Sequence, residues 1–135
     1  MKAELVAFIR SRGHEVTDVG SHDPNPVDFP DIARKVAAAI TSGQAERGLM
    51  VCGTGVGAAI GANKMKGIRA AVCHDVHLAH QSVEHDDVNV MCIGAQIVGP
   101  WLAKDLVAAY LDARFSTDED FRRRVAKLAA MDEGR

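Results

Sequence analysis

The chain has 135 residues, of which 47% are apolar and 25% charged, and its formal net charge is −2. This composition is that of one globular domain, and it offers neither the basic surface that nucleic-acid binding needs nor an apolar run long enough to span a membrane. The three cysteines, Cys52, Cys73 and Cys92, lie in or at the end of apolar runs, so we expect a cytoplasmic protein with free thiols, no disulfide framework and no structural zinc.

The first forty residues predict two helices separated by a strand and a loop. Apolar residues recur with helical period over residues 2–12, and residues 14–19 are predicted to form a strand. Three prolines and several small polar residues mark 20–30 as a loop. A second amphipathic helix is predicted from Asp31, with Phe29 before it as a hydrophobic staple.

The central stretch combines a buried strand with a glycine-rich turn. The apolar run 48–52 ends in Cys52, and glycines at positions 53, 55 and 57 precede an Ala-rich helix. These glycines allow backbone conformations that expose successive N–H groups at the positive end of that helix, where an anion binds readily. A thiol beside such a cradle suggests chemistry, although a buried cysteine on a glycine-rich connection is an equally good interpretation of this stretch alone.

The second half of the chain continues the alternation of strands and helices. Residues 68–73 and 88–93 are predicted strands, Pro100 opens a helix, and Ser116 with Glu119 forms a capping box for a last helix. The residues expected to face inward on the helices after positions 75, 100 and 116 are Val76, Leu78, Ala79, Val83, Leu102, Leu106, Val107, Tyr110, Leu111, Phe121, Val125, Leu128 and Met131.

This alternation predicts an α/β fold with a parallel sheet and helices on both faces. Such domains usually begin with a strand, whereas this chain begins inside an amphipathic helix.

A dinucleotide-binding domain is one alternative for the central stretch. Residues 53–58 satisfy G-x-G-x-x-A after a strand, and Asp75 ends the next strand at about the spacing of a ribose-binding acid. The chain has no room for a substrate domain, however, and a dinucleotide loop needs no thiol at its entry.

Four histidines follow the second apolar strand. We expect His74, His77 and His80 to be surface residues, because no histidine pair has the H-x-x-x-H spacing of a metal site. His85 differs, since it begins a polar turn that leads into a buried strand, and a loop histidine at a sheet edge can reach a ligand.

The basic run Arg122-Arg123-Arg124 lies in the last helix. Taken alone it is best explained as a solvated face, although one partly covered arginine there could pair bidentately with a phosphate.

Six motifs, in their order and spacing from Met1 to Val125, resemble the ribose-5-phosphate isomerase B family, which includes the galactose-6-phosphate isomerase subunits. They are Asp28-Phe29-Pro30-Asp31, Cys52-Gly53-Thr54-Gly55-Val56-Gly57, Ala62-Asn63-Lys64, Gly67-Ile68-Arg69-Ala70-Ala71, Glu84-His85-Asp86-Asp87 and Arg123-Arg124-Val125.

The resemblance implies a Rossmann-like three-layer α/β/α sandwich without metal or cofactor. It also implies a homodimer or homotetramer with the site between subunits. The implied reaction interconverts a phosphorylated aldose and its ketose, most typically ribose 5-phosphate and ribulose 5-phosphate, through a cis-enediolate. In that scheme Cys52 is the base, Thr54 shuttles protons between the two sugar oxygens, and His85 opens the ring. The residues expected to bind the substrate are Gly53, Gly55, Val56, Gly57, Asn63, Asp86 and Arg124.

The chain departs from the family pattern in several places. The family starts with a strand and an Asp-His-Ala-Gly motif, and Met1 aligns inside the helix that follows it, so we expect a start called too late and a longer natural protein; without those residues, poor folding or no turnover is expected. Phe29 replaces a Tyr, Asp86 an Asn, and Asp120 an Arg. Because two new carboxylates would repel a phosphorylated ligand, a different sugar or a non-catalytic sugar-phosphate-binding subunit of a hetero-oligomer is the alternative.

Overall fold

The computed structural model describes residues 1–135 as six helices and three strands. In chain order they are α1 (Lys2–Ser11), α2 (Phe29–Thr41), β1 (Gly48–Cys52), α3 (Val56–Asn63), β2 (Ala70–Val72), α4 (Val76–Asp86), β3 (Val90–Gly94), α5 (Pro100–Asp112) and α6 (Glu119–Glu133). None of these helices combines the length and the apolar character that crossing a bilayer requires.

The three strands form one parallel sheet in the order β1-β3-β2. Cys52 at the end of β1 lies opposite Gly94 at the end of β3, while Val72 at the end of β2 lies opposite Cys92. The carboxyl ends of all three strands therefore meet at one edge of the sheet.

Alternate residues of the strands build a core on each face of the sheet. Met91 and Ile93 point toward the layer of α1, α4 and α5. Val90 and Cys92 point toward the layer of α2 and α3. This is the predicted three-layer α/β/α arrangement, and the near-continuous apolar character of the strands follows from burial on both faces.

The strand predicted at residues 14–19 is wrong. The segment is extended but belongs to no backbone ladder. It is held instead by side chains, because Lys2 pairs with Asp18 at 3.1 Å and Arg10 donates to the carbonyl of Val16. A strand needs a hydrogen-bonded neighbour, and the sheet supplies none to this segment.

Several predictions about helix faces and caps also need correction. Asp118, not Ser116, accepts the N-terminal hydrogen bond of α6, from the backbone N–H of Asp120. The ring of Phe29 packs against Gly57 of α3 rather than acting as a staple within its own helix. Periodicity marks an apolar stripe but not whether another element covers it, which explains the predicted inward residues that the structure exposes: Val76, Leu78, Leu102, Leu128 and Met131.

Candidate active site

The thiol of Cys52 lies at the carboxyl end of β1, half-buried, where the chain turns into α3. The backbone N–H of Gly55 donates a hydrogen bond to its Sγ at 3.0 Å. Gly55 can fold back in this way because its φ is +85°, a conformation that side chains disfavour. A hydrogen bond donated to sulfur stabilises negative charge there, so the turn is suited to a thiolate.

The turn also presents backbone donors that the protein leaves unpaired. Val56 donates to the Thr54 hydroxyl oxygen at 3.3 Å, whereas the N–H groups of Gly53, Thr54 and Gly57 have no acceptor. These groups lie at the N-terminus of α3, where the helix dipole favours negative charge. The predicted turn of exposed backbone donors is therefore present, with two of its five donors used within the turn itself, and its binding of an anion stays a prediction.

Two side chains outside the glycine motif, Phe29 and Gln96, lie against this turn. The ring of Phe29 lies over Gly57, so closely that a Cβ there would stand 2.9 Å from the ring. The amide of Gln96 lies over Gly53, and its own backbone N–H donates to the Gly53 carbonyl at 3.0 Å. Gln96 follows the carboxyl end of β3, and that position is the one sequence signal that could have identified it.

His74 is not the surface residue that we predicted. Its ring is half-buried at the same sheet edge, and Nε2 accepts a hydrogen bond from the backbone N–H of Gly94 at 2.9 Å. His77 and His80, by contrast, are exposed as expected. Grouping the three by helical spacing hid the fact that His74 precedes α4 and directly follows a strand.

His85 lies elsewhere in the subunit. It is in the last turn of α4, and its ring stacks on Phe121 of α6 with centroids 3.9 Å apart. The polar turn after it is fixed by Arg69, whose Nε donates to the Asp87 carbonyl at 2.7 Å. Asp86 beside it is exposed.

Arg124 completes this second cluster. Its guanidinium lies 5.8 Å from the Phe121 ring centre and makes no ion pair. Asp120, one turn earlier, is paired instead with Arg123 at 2.8 Å. The exposed Asp120–Arg123 pair partly offsets the negative charge that would otherwise act on an anion at Arg124.

The two clusters lie at opposite edges of the sheet. α4 begins beside the carboxyl end of β2 and returns toward the amino end of β3, so its eleven residues carry the chain about 16 Å away from the Cys52 edge. The fold thus brings Cys52, Thr54 and the glycine turn together, and separately His85, Asp86 and Arg124, but does not join the two groups within one subunit.

Two remaining residues have structural contacts of their own. The amide of Asn63 both donates to and accepts from the backbone of Ala70, at 2.8 Å each, so its predicted substrate contact stays a prediction. Asp75 caps α4 by accepting from the Leu78 N–H at 2.7 Å. This gives the carboxylate a role unrelated to a ribose.

The other two thiols are unsuited to chemistry. Cys73 and Cys92 are fully buried, and burial raises the pKa of Cys73 and raises that of Cys92 to about 12, with Cys52 and Cys73 adding smaller effects on the latter. Two surface grooves of about 650 and 560 Å³ also lie away from Cys52, one beside α1 and one beside α6. Cys52 itself is half-buried and the neighbouring Thr54 is exposed to solvent in the single subunit.

Comparison with known proteins relates the whole chain to one family. Residues 1–128 match the Ribose/Galactose Isomerase family model. Ribose-5-phosphate isomerase B of Escherichia coli is 40% identical over 135 residues, covering 100% of this chain and 90% of that protein. D-erythrulose-4-phosphate isomerase of Pectobacterium atrosepticum is 42% identical over 118 residues, covering 85% of this chain and 76% of that protein.

Solved structures agree. Ribose-5-phosphate isomerase B of Clostridium thermocellum superposes with a TM-score of 0.94 at 43% identity, covering 98% of this chain and 89% of that one. Sequence, fold and the position of the glycine turn thus lead to one conclusion. The chain belongs to the ribose/galactose isomerase family of sugar-phosphate isomerases.

Proposed function

We propose that residues 1–135 act as a single isomerase domain that interconverts a phosphorylated aldose and its ketose, with ribose 5-phosphate and ribulose 5-phosphate as the first pair to test. The observation that carries the proposal is the Cys52 Sγ held at 3.0 Å from the Gly55 N–H beside unpaired backbone donors. This places a base next to a site for the negative charge that its reaction would create.

In the proposed reaction the Cys52 thiolate removes the proton from C2 of the open-chain aldose. The electron pair forms a C1–C2 double bond, and the negative charge that develops on O1 is stabilised by the N–H groups of Gly53, Thr54 and Gly57. The Thr54 hydroxyl moves a proton from O2 to O1, and the Cys52 thiol returns its proton to C1. The reaction is redox-neutral overall, because the proton taken from C2 is returned to C1 and the proton taken from O2 is given to O1.

The remaining groups require a second copy of the chain. His85 and Arg124 lie near the far end of α4 from Cys52, and the turn beside Cys52 keeps Thr54 exposed in the single subunit. We therefore place the site between two subunits of a homodimer or homotetramer. There His85 of one copy opens the ring and its Arg124 binds the phosphate, while Cys52 belongs to the other copy.

The substrate is the finer part of the proposal. Asp120 lies one helical turn before Arg124 and is paired with Arg123, whereas Asp86 follows His85 and has no ion pair. A shorter sugar phosphate is a second candidate, because one relative is named for erythrulose 4-phosphate. The other alternative is a binding subunit that holds a sugar phosphate without turning it over.

Proton exchange tests the function directly. We expect the C2 proton of ribose 5-phosphate to exchange with deuterated water in the presence of the protein, and Cys52→Ala to abolish the exchange. Cys73→Ala, which removes a buried thiol, is the matched control and should retain it. Absence of exchange with four-, five- and six-carbon sugar phosphates, together with sugar-phosphate binding that survives Cys52→Ala, would establish the binding subunit instead.

A further inference from the structure

The half-buried ring of His74 has no part in the scheme above, yet it lies at the Cys52 edge. We propose that His74 is a positioning residue that holds Gly94, and through Gly94 the turn at residues 53–54, in the geometry that presents the Cys52 thiol. The structural part of this inference is independent of the chemistry, and its catalytic part rests on the proposed function.

The His74 ring replaces a backbone hydrogen bond between β2 and β3. Val90 donates to the carbonyl of Arg69, and Val72 pairs with Cys92, after which β2 ends. The backbone hydrogen bonds between two parallel strands recur every two residues. The same register would therefore pair the N–H of Gly94 with the carbonyl of Cys73. The imidazole takes that N–H instead, at 2.9 Å.

Gly94 is in close contact with the turn at residues 53–54. Gly94 lies opposite Cys52, and a Cβ on it would stand 2.6 Å from Thr54 Cα and 2.7 Å from the Gly53 carbonyl oxygen. The next residue, Ala95, donates to the carbonyl of Cys52 at 2.7 Å. A displacement of Gly94 would therefore be transmitted directly to the thiol and to the donors beside it.

The hydrogen bond from Gly94 also determines which nitrogen of the His74 ring carries the proton. Because Nε2 accepts from an N–H, the neutral imidazole carries its proton on Nδ1. An acceptor at the reach of Nε2 is what Gly94 requires. Glutamine offers one through its side-chain carbonyl, whereas leucine fills similar space without one.

The test compares His74→Leu, His74→Gln and the exposed control His77→Leu. We expect His74→Leu to lower kcat about 10- to 100-fold with little change in KM, because small misplacement of a reacting group has effects of that size. His74→Gln should retain most of the activity, and His77→Leu all of it. A role in stability alone would lower the Tm of His74→Leu and leave kcat per folded site unchanged, and that result would overturn the inference.

Two readouts need no substrate. Hydrogen exchange should show a protected Gly94 amide in the unmodified protein that loses protection in His74→Leu and regains it in His74→Gln. The rate of Cys52 alkylation by iodoacetamide should change in the same order. Even if His74→Leu does not fold, an unprotected Gly94 amide in the unmodified protein would reject the inference, and so would equal loss of kcat in the leucine and glutamine variants. Lack of turnover by the unmodified protein would reject the proposed function only.

Discussion

Gly94 and Thr54 approach each other so closely that residue 94 has no room for a side chain. A Cβ added to Gly94 would stand 2.6 Å from Thr54 Cα and 2.7 Å from the Gly53 carbonyl oxygen. Both are backbone atoms, so neither can rotate away as a side chain could. Gly94→Ala should therefore separate β3 from the turn that carries the thiol.

We expect this variant to lose about 1–3 kcal/mol of unfolding free energy, as overpacked sites do, and most of its isomerase activity. Gly99→Ala is the matched control, because a Cβ at Gly99 meets nothing within 4 Å. Urea denaturation and initial rates measure the two effects. Equal behaviour of the two variants would show that the contact is unimportant.

The three cysteines should differ sharply in reactivity. In the native protein iodoacetamide should modify Cys52, which is half-buried beside the exposed Thr54, and leave the fully buried Cys73 and Cys92 intact. Peptide mass spectrometry after a short exposure identifies the site. All three thiols should react in urea, and rapid native modification of Cys92 would contradict the packing described.

Stability should fall in alkaline solution. Burial raises the pKa of Tyr110, of Cys73 and of Cys92, the last to about 12. In the unfolded chain the cysteines begin to lose protons near about pH 8.5 and the tyrosine near about pH 10, the pKa values of the free side chains, whereas the folded chain keeps all three protons to higher pH. The unfolded state then binds fewer protons, so the free energy of unfolding decreases as the pH rises.

Their contribution is fully present below the unfolded pKa values and is lost toward pH 12, by up to about 1.4 kcal/mol per pH unit for each group. Urea denaturation at pH 8 and pH 10.5 should show the decrease, and Cys92→Ala should make it shallower. Stability independent of pH across this range would mean that the three groups are less shielded than the structure indicates.

Asp120 is a place where activity should be improvable. Replacing it with Asn removes a negative charge one helical turn from Arg124 and frees Arg123 from its ion pair. If Arg124 binds the phosphate as proposed, Asp120→Asn should lower KM several-fold at low salt with little change in kcat. Asp105→Asn on α5, an exposed carboxylate, is the control, and equal effects of the two would indicate only a general change in net charge.

The sequence was most informative where local chemistry decides the structure. The glycine turn after Cys52 has the geometry that alternating glycines predict, and the apolar runs form the parallel sheet. The segment 14–19 has strand composition but no neighbour to pair with, and pairing is not a local property. The prediction that Leu128 and Met131 face inward was wrong for a related reason, because helical periodicity does not reveal which faces of a helix remain uncovered.

The site was predicted in the same uneven way. The motif places Cys52, Thr54 and the glycine donors in one turn, and the structure has them in one turn as well. Motif spacing could not show that His85 and Arg124 lie at the other end of α4, since that follows from the direction of the helix in the fold. His74 was misjudged because its tertiary contact with Gly94 joins residues twenty positions apart.

Asn63 has a consequence for how the molecule behaves at high concentration. β2 is an outer strand of the sheet, and the N–H and C=O of Ala70 point away from β3. Both are occupied by the Asn63 amide at 2.8 Å, so the start of this strand offers no template to a passing chain. The side-chain amide of Asn63 therefore blocks the addition of another strand at the start of β2, which should reduce self-association along this edge.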